Sequence, residues 1–316
     1  MNQFSQCYLF LLLIVPIVSQ AQNFPFTDKE KPLQIVYSKS GPKLDSIAAH
    51  LLANDIKLAT NTHAQVVTNA ARLKGNVIVI GNIESPLVKP YFNVTTAAYK
   101  KVKGKWETYA WKVIDRPKTG ISKLLVIAGS DARGTAYGVF SLSEKLGVSP
   151  WYWWADVPVT MQKNVTLKLK EQSSSPRIKF RGIFINDEDW GLQPWAAKTF
   201  EPETGDIGPK TYAKVFELIL RLKGNLIWPA MHPCTKAFFH YPGNKKVAED
   251  YSIVIGTSHA EPMLRNNVGE WDEKSMGHFN YVINKEKVYN YWENRVKETT
   301  TNDVLYTMGM RGVHDS

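Results

Sequence analysis

The chain has 316 residues, 44% hydrophobic and 12% aromatic, with a formal charge of +10 and two cysteines. That apolar content excludes a disordered or low-complexity chain and is enough for more than one packed domain. Lys and Arg are spread along the sequence without a block of like charge, so the basic balance gives no nucleic-acid-binding tail.

Residues 8–18 are apolar apart from Pro16, and Ser19-Gln20-Ala21 comes next with the small-x-small pattern of a signal-peptidase site. The run is shorter than the roughly 20 residues a bilayer-spanning helix needs. It predicts a signal peptide over residues 1–21 rather than a membrane anchor, and an exported protein in the periplasm, at the cell surface or outside the cell. No Lys or Arg precedes the run, so the positive charge at its front rests on the amino terminus alone. Cys7 lies before the run, where a lipoprotein cysteine would come after it. Cleavage leaves Cys234 alone, which excludes an intramolecular disulfide.

The next stretch alternates strands and helices. A strand is expected at 33–36, then a helix at 44–58, where Leu44, Ile47, Ala48, Leu51 and Leu52 recur at helical spacing. Further strands are expected at 77–80, 106–114 and 124–128. The glycine-containing turn 129–138 opens a helix that runs to about Leu146. This turn lacks both the Walker Lys-Ser/Thr pair and the Gly-x-Gly-x-x-Gly spacing, so nucleotide binding is not expected, and Arg133 and Glu144 read as braces. Residues 163–170 alternate as an edge strand does. The polar, proline-ended segment 172–176 then marks the boundary between an α/β accessory domain (22–175) and a second unit (176–316).

Beyond residue 176 the pattern changes to strand-loop-helix units. Strands are expected at 178–185, 225–228, 253–256 and 304–308, and helical stretches at 212–222, 245–251 and 285–299. Four such units predict the first half of a (β/α)8 TIM barrel. A whole barrel takes about 250 residues, so the catalytic barrel is expected to be truncated in this chain.

Barrel active sites gather at the carboxyl ends of the strands. Here those ends read Asn186-Asp187-Glu188-Asp189-Trp190, Trp228-Pro229-Ala230-Met231-His232, Gly256-Thr257-Ser258-His259-Ala260-Glu261 and Met308-Gly309-Met310-Arg311-Gly312-Val313-His314-Asp315. Glycoside hydrolysis uses two carboxyl groups, and the candidates are Asp187, Glu188, Asp189, Glu261 and Asp315. Glu188 and Asp189 serve equally well as helix caps. Arg311 suits a bidentate grip on a sugar carboxylate. Trp190, Trp195 and Trp228 read equally as sugar-stacking faces and as core. His232, His259, Glu261, His314 and Asp315 are ligand types as well, but without His-Glu-x-x-His or paired-cysteine spacing no metal or other cofactor is expected. There is no Gly-x-Ser-x-Gly, and Cys234 lacks a nucleophile signature.

Three segments, 181–189, 256–263 and 306–315, resemble glycoside hydrolase family 115, and region 129–154 is similar to the accessory domain that precedes the barrel there. The resemblance implies a xylan α-1,2-glucuronidase that removes glucuronic or 4-O-methylglucuronic acid with inversion, acting on glucuronoxylan or its oligosaccharides. It places Asn186, Asp187, Trp228, His259, Arg311 and Asp315 in the pocket. Arg311 would hold the uronate, and Asp187 and Asp315 would do the acid/base work or position water. Glu261 and His314, at the same strand ends, complete the substrate-binding candidates. Family members continue through the rest of the barrel into a helical domain and a β-sandwich, and a homodimer is the expected assembly of the longer protein. Two other readings stay open: a noncatalytic or inert glycan-binding fragment, and a hexosaminidase-like hydrolase of another sugar with a similar accessory domain.

Overall fold

The structure is a computed structural model that describes residues 22–28, 30–169, 173–309 and 312–314. The expected signal peptide, Arg311 and Asp315 lie outside the described residues. The first part contains β1 (Gln22–Pro25), β2 (Leu33–Val36), α1 (Lys43–Thr60), β3 (Ala64–Val67), β4 (Gly75–Asn82), α2 (Ala97–Val102), β5 (Tyr109–Asp115), β6 (Ile121–Gly129), α3 (Ala132–Lys145) and β7 (Thr166–Leu169). Five strands form one sheet in the order β3-β2-β4-β6-β5, parallel except for β5. β1 and β7 make a separate antiparallel pair.

The sheet is covered on both faces, so its central strands read as continuous apolar runs rather than alternating ones. Ile35, Ile78, Ile80, Leu125 and Ile127 pack with Leu44, Leu52 and Ile56 of α1 and with Ala136 and Phe140 of α3. Their neighbours Val36, Val77, Val79 and Val126 point the other way and pack with Phe92, Tyr99 and Val102. The 129–138 turn owes its glycines to close packing. A Cβ on Gly129 would lie 2.2 Å from the Thr135 nitrogen, and one on Gly134 would lie 2.3 Å from the Thr108 carbonyl. Asp131 caps α3 by accepting the Gly134 N–H at 2.7 Å.

The second part comprises β8 (Gly182–Phe184), α4 (Leu192–Trp195), α5 (Pro209–Arg221), β9 (Leu226–Trp228), α6 (Pro242–Asp250), β10 (Val254–Ile255), α7 (Asn267–Glu270), α8 (Glu273–Met276) and α9 (Lys285–Glu298). β8, β9 and β10 are parallel and adjacent in chain order. All four expected strands of this part are shorter than the sequence suggests, the first and the last most of all. The 178–185 segment narrows to β8 because its front bends around Arg181, whose guanidinium takes the carbonyls of Ile178 at 2.8 Å and Lys179 at 3.0 Å. The 304–308 strand reduces to one parallel bridge from Val304 to Ile255. The Thr307 carbonyl accepts the Met263 N–H instead, and its hydroxyl donates to the Thr257 carbonyl.

One hydrophobic cluster runs from the first sheet through α3 and α5 to β9 and β10. Buried charges cross the same contact. Arg221 of α5 meets Asp55 of α1 and Glu217, with its guanidinium over the rings of Phe140 and Tyr152. Glu107, before β5, accepts from Arg133 at 2.7 Å, from Asn225 at 2.6 Å and from Arg181. Arg133 also donates to the Ser252 carbonyl, and Glu144 pairs with Lys223, so both residues brace α3 against the second part. Ser173 bonds to both backbone groups of Tyr109, which ties the polar segment to β5.

Candidate active site

The carboxyl ends of β8 and β9 lie side by side, because Phe184 and Trp228 are partners in the parallel register. This brings the loop after β8 against the loop after β9. Asp187 sits in the left-handed region (φ 66°), which turns the chain into a short 3-10 turn at residues 188–190. Glu188 points inward, 2% exposed, and its Oε1 accepts the N–H groups of Met231 and His232, both at 2.6 Å. It is therefore a clamp between the two loops rather than a helix cap, because the amides it accepts belong to the loop after β9.

On the solvent side, His232 bridges the strand-end polar groups. Its Nδ1 lies 3.0 Å from Asp189 Oδ1, and its Nε2 lies 3.2 Å from Asn186 Oδ1. Both ring nitrogens therefore face acceptors, the arrangement an imidazolium satisfies. Burial pulls the His232 pKa down, but the hydrogen bond it donates to Asp189 and the charges of Glu188, Asp189 and Asp187 outweigh it, and the net shift is upward. Ligand atoms of Asp187, Asp189 and His232 lie within 4.8 Å of one another, close enough to hold a cation. This set differs from the His259, Glu261, His314 and Asp315 combination considered from sequence. Its histidine nitrogens are already hydrogen-bonded.

Trp228 is half-buried, edge-on to Phe184 with ring centroids 5.4 Å apart. Its indole approaches Gly256 so closely that a Cβ there would lie 2.6 Å from Nε1. Trp190 stands 86% exposed beside the cluster. Trp195 lies elsewhere, stacked on Phe200 and edge-on to Trp153, so its packing is mainly intramolecular.

The end of β10 places His259 at the surface and Glu261 inside. Burial pushes the Glu261 pKa to about 8, only partly offset by hydrogen bonds from Ser258 and Asn266. It is a carboxyl group held neutral at neutral pH, the state a general acid requires. His314 is exposed, and none of the described contacts ties it to the cluster. The exposed Cys234 thiol is pushed up by burial and by the nearby carboxylates of Glu188, Asp189 and Asp206, opposite to what a nucleophile needs. A cavity of about 670 Å³ between α9 and residues 307–309 shares no lining residue with the His232 cluster.

Asn186, Asp187 and Trp228 are thus gathered at adjacent strand ends. Asp189 and His232, which the sequence reading left out of the sugar-binding set, are central to the cluster. Their signal was position: each lies at a strand end, two or four residues beyond a residue already chosen.

The sequence profile of Glycosyl hydrolase family 115 matches residues 173–316. A search of curated proteins found no match. Among solved structures, a family GH115 4-O-methyl-α-glucuronidase with specificity for decorated arabinogalactans is 42% identical, with a TM-score of 0.79 over 93% of this chain and 37% of its own. A family GH84 structure is 12% identical (TM-score 0.45, 88% of this chain and 42% of its own). A Streptomyces plicatus β-hexosaminidase is 13% identical (TM-score 0.42, 75% and 44%). Those two scores are too low to support an inference, whereas the first neighbour and the profile agree. The chain belongs to glycoside hydrolase family 115.

Proposed function

We propose that the protein to which this chain belongs is an inverting α-glucuronidase that removes glucuronic or 4-O-methylglucuronic acid from a plant glycan, and that this chain supplies the accessory domain and the front of its catalytic barrel. The carrying observation is the gathering of Asn186, Asp187, Asp189 and His232 at the carboxyl ends of two adjacent parallel strands. That is where barrel enzymes keep their chemistry. The chain spans 37% of the length of its GH115 neighbour, so activity is assigned to the longer protein.

A barrel reading is supported by strands that succeed one another in parallel, with Val304 bridging next in line. Ile183 and Phe184 of β8 remain 41% and 40% exposed, an apolar strand whose cover is absent from the described residues. In this reading residue 176 starts the barrel. Asp187 and Asp315 share acid/base work and water positioning, Arg311 pairs with the uronate carboxylate, and Trp228 offers a ring face. Xylan and arabinogalactan are both substrates to test, the latter because the GH115 neighbour is described as specific for decorated arabinogalactans. Export is read from the leader pattern at residues 8–21.

The test is uronate release from glucuronoxylan and from decorated arabinogalactan by the full-length protein, with anomeric configuration followed by NMR. Asp187→Ala and Asp315→Ala should each lower turnover by about a hundredfold or more, the usual scale for losing an acid/base group. Absence of release from every uronate-bearing glycan would overturn the assignment.

A further inference from the structure

A crevice of about 610 Å³ opens where the chain leaves the strand-end cluster. One wall is the chain just beyond the 188–190 turn, with Gly191, Leu192 and Trp195; the other is the segment between α3 and β7, with Tyr152, Trp153, Trp154 and Asp156. Gly191 is the second residue after Asp189, so the first wall begins within about 7 Å of the backbone of the residue that holds His232. Between the two in the chain stands Trp190, 86% exposed and without a ring partner among the described residues.

The crevice is aromatic but not sealed. Trp153 lies edge-on to Trp154 and to Trp195, with ring centroids 4.9 and 5.9 Å apart, and the stacking of Trp195 on Phe200 fixes the group further. Two polar tips are used within the protein: the Tyr152 hydroxyl donates to Glu217 at 2.9 Å, and the Trp154 indole donates to the Lys214 carbonyl at 3.1 Å. Among the described residues no hydrogen bond takes the indole N–H of Trp153 or of Trp195, and both side chains are only partly buried. Neither nitrogen is buried without a partner, so both open to solvent. Asp156 is exposed and makes no ion pair among the described residues. Lys214, whose Nζ lies 5.0 Å from the Trp153 ring centroid, is already paired with Glu217 at 3.0 Å. The free charge of the lining is therefore negative.

We infer that Trp190 and this crevice form a subsite for the neutral backbone pyranoses of the glycan that carries the uronate. One sugar ring stacks on Trp190 beside the cluster, and the chain continues into the crevice. There the C–H faces of the sugars meet the indole rings, while their hydroxyls, which both donate and accept, meet the Trp153 and Trp195 N–H groups and the Asp156 carboxylate. A uronate or another anion is repelled by Asp156. An apolar peptide leaves the two indole donors and the carboxylate unmet. The inference rests on the reading of the strand-end cluster as a glycosidase site, because that reading puts a glycan beside Trp190.

The experiment is calorimetric titration of the full-length protein with xylopentaose and, separately, with β-1,6-galactopentaose, neither of which carries a uronate. The variants are Trp190→Ala; Trp153→Phe, which keeps an aromatic ring but loses the N–H; and Trp151→Ala, a 44% exposed tryptophan outside the lining. The expected result is saturable binding of at least one pentasaccharide, weakened about tenfold by Trp190→Ala and about fivefold by Trp153→Phe, and unchanged by Trp151→Ala. Trp190 is at the surface, so Trp190→Ala decides even where Trp153→Phe does not fold. No saturable binding of either sugar, binding that Trp190→Ala or a folded Trp153→Phe leaves unchanged, or an equal loss in Trp151→Ala overturns the inference. Binding that responds to the variants without uronate release from any glycan supports the subsite and overturns the catalytic reading alone.

Discussion

Arg221 of α5 closes two parallel hydrogen bonds onto Asp55 of α1, at 2.9 and 3.0 Å, with both side chains buried. The pair joins α1, which covers the five-stranded sheet, to α5 of the second part of the chain. Burial works against the charge on Arg221, but Asp55 and Glu217 hold its pKa above its usual value.

Breaking this pair should be costly, because removing one partner leaves the other buried and charged. Arg221→Ala is expected to destabilise the chain by about 3–5 kcal/mol in urea unfolding. Replacing Asp55 and Arg221 together with apolar residues of similar volume should cost far less than the sum of the single changes. Additive losses would show that the pair is not coupled.

Glu261 sets a pH dependence. Its pKa rises from 4.5 to about 8 on folding, so the folded chain binds the proton more tightly. Its contribution is fully present below 4.5 and is lost as pH rises towards 8. Asp45 acts in the same direction between 3.8 and about 7. Melting temperature measured from pH 4 to 9 should fall along this range. Glu261→Gln should flatten the upper part of the fall and Asp45→Asn the lower. A curve unchanged by both substitutions contradicts the burial that raises these pKa values.

His232 gives a spectroscopic readout of the strand-end cluster. Its pKa is raised, so the stability it contributes is present below about 6.5 and is lost as pH rises through its folded value. NMR titration of the imidazole should place the midpoint above the ordinary value. Asp189→Asn should bring it down, while the fold, read by circular dichroism, stays unchanged.

Glu201 caps α5 from outside the helix, accepting the N–H groups of Gly208, Lys210 and Thr211 and the Thr211 hydroxyl. With Glu201 1% exposed, losing these bonds leaves several buried donors unpaired. Glu201→Ala is expected to cost about 1–3 kcal/mol in thermal or urea unfolding. The His232 titration should not move, which separates a structural loss from a change at the cluster.

Much of the fold was legible because apolar spacing carries it. β2 falls where its four apolar-rich residues put it, and α1, α5 and α9 lie close to their expected spans. β3 escaped notice because Ala64-Gln65-Val66-Val67 is short and only half-buried, an edge strand with little pattern to show. The site was legible in part. Asn186, Asp187 and Trp228 were marked by position, but Glu188 turned out to be a clamp, and nothing local to 186–190 says that its partners are the amides of 231 and 232. Arg311 and Asp315, outside the described residues, remain expectations from sequence.

By itself the sequence determined the alternation of elements and the family likeness, since both rest on residue type and spacing along one chain. Only the tertiary structure decided which polar groups meet. It paired Arg221 with Asp55, set His232 between Asp189 and Asn186, and buried Asp45 Oδ1 without a hydrogen bond. The reason is physical. Periodicity reports which face of an element is apolar, whereas hydrogen bonds and charge pairs depend on distances of a few ångströms between segments far apart in sequence, and packing alone fixes those.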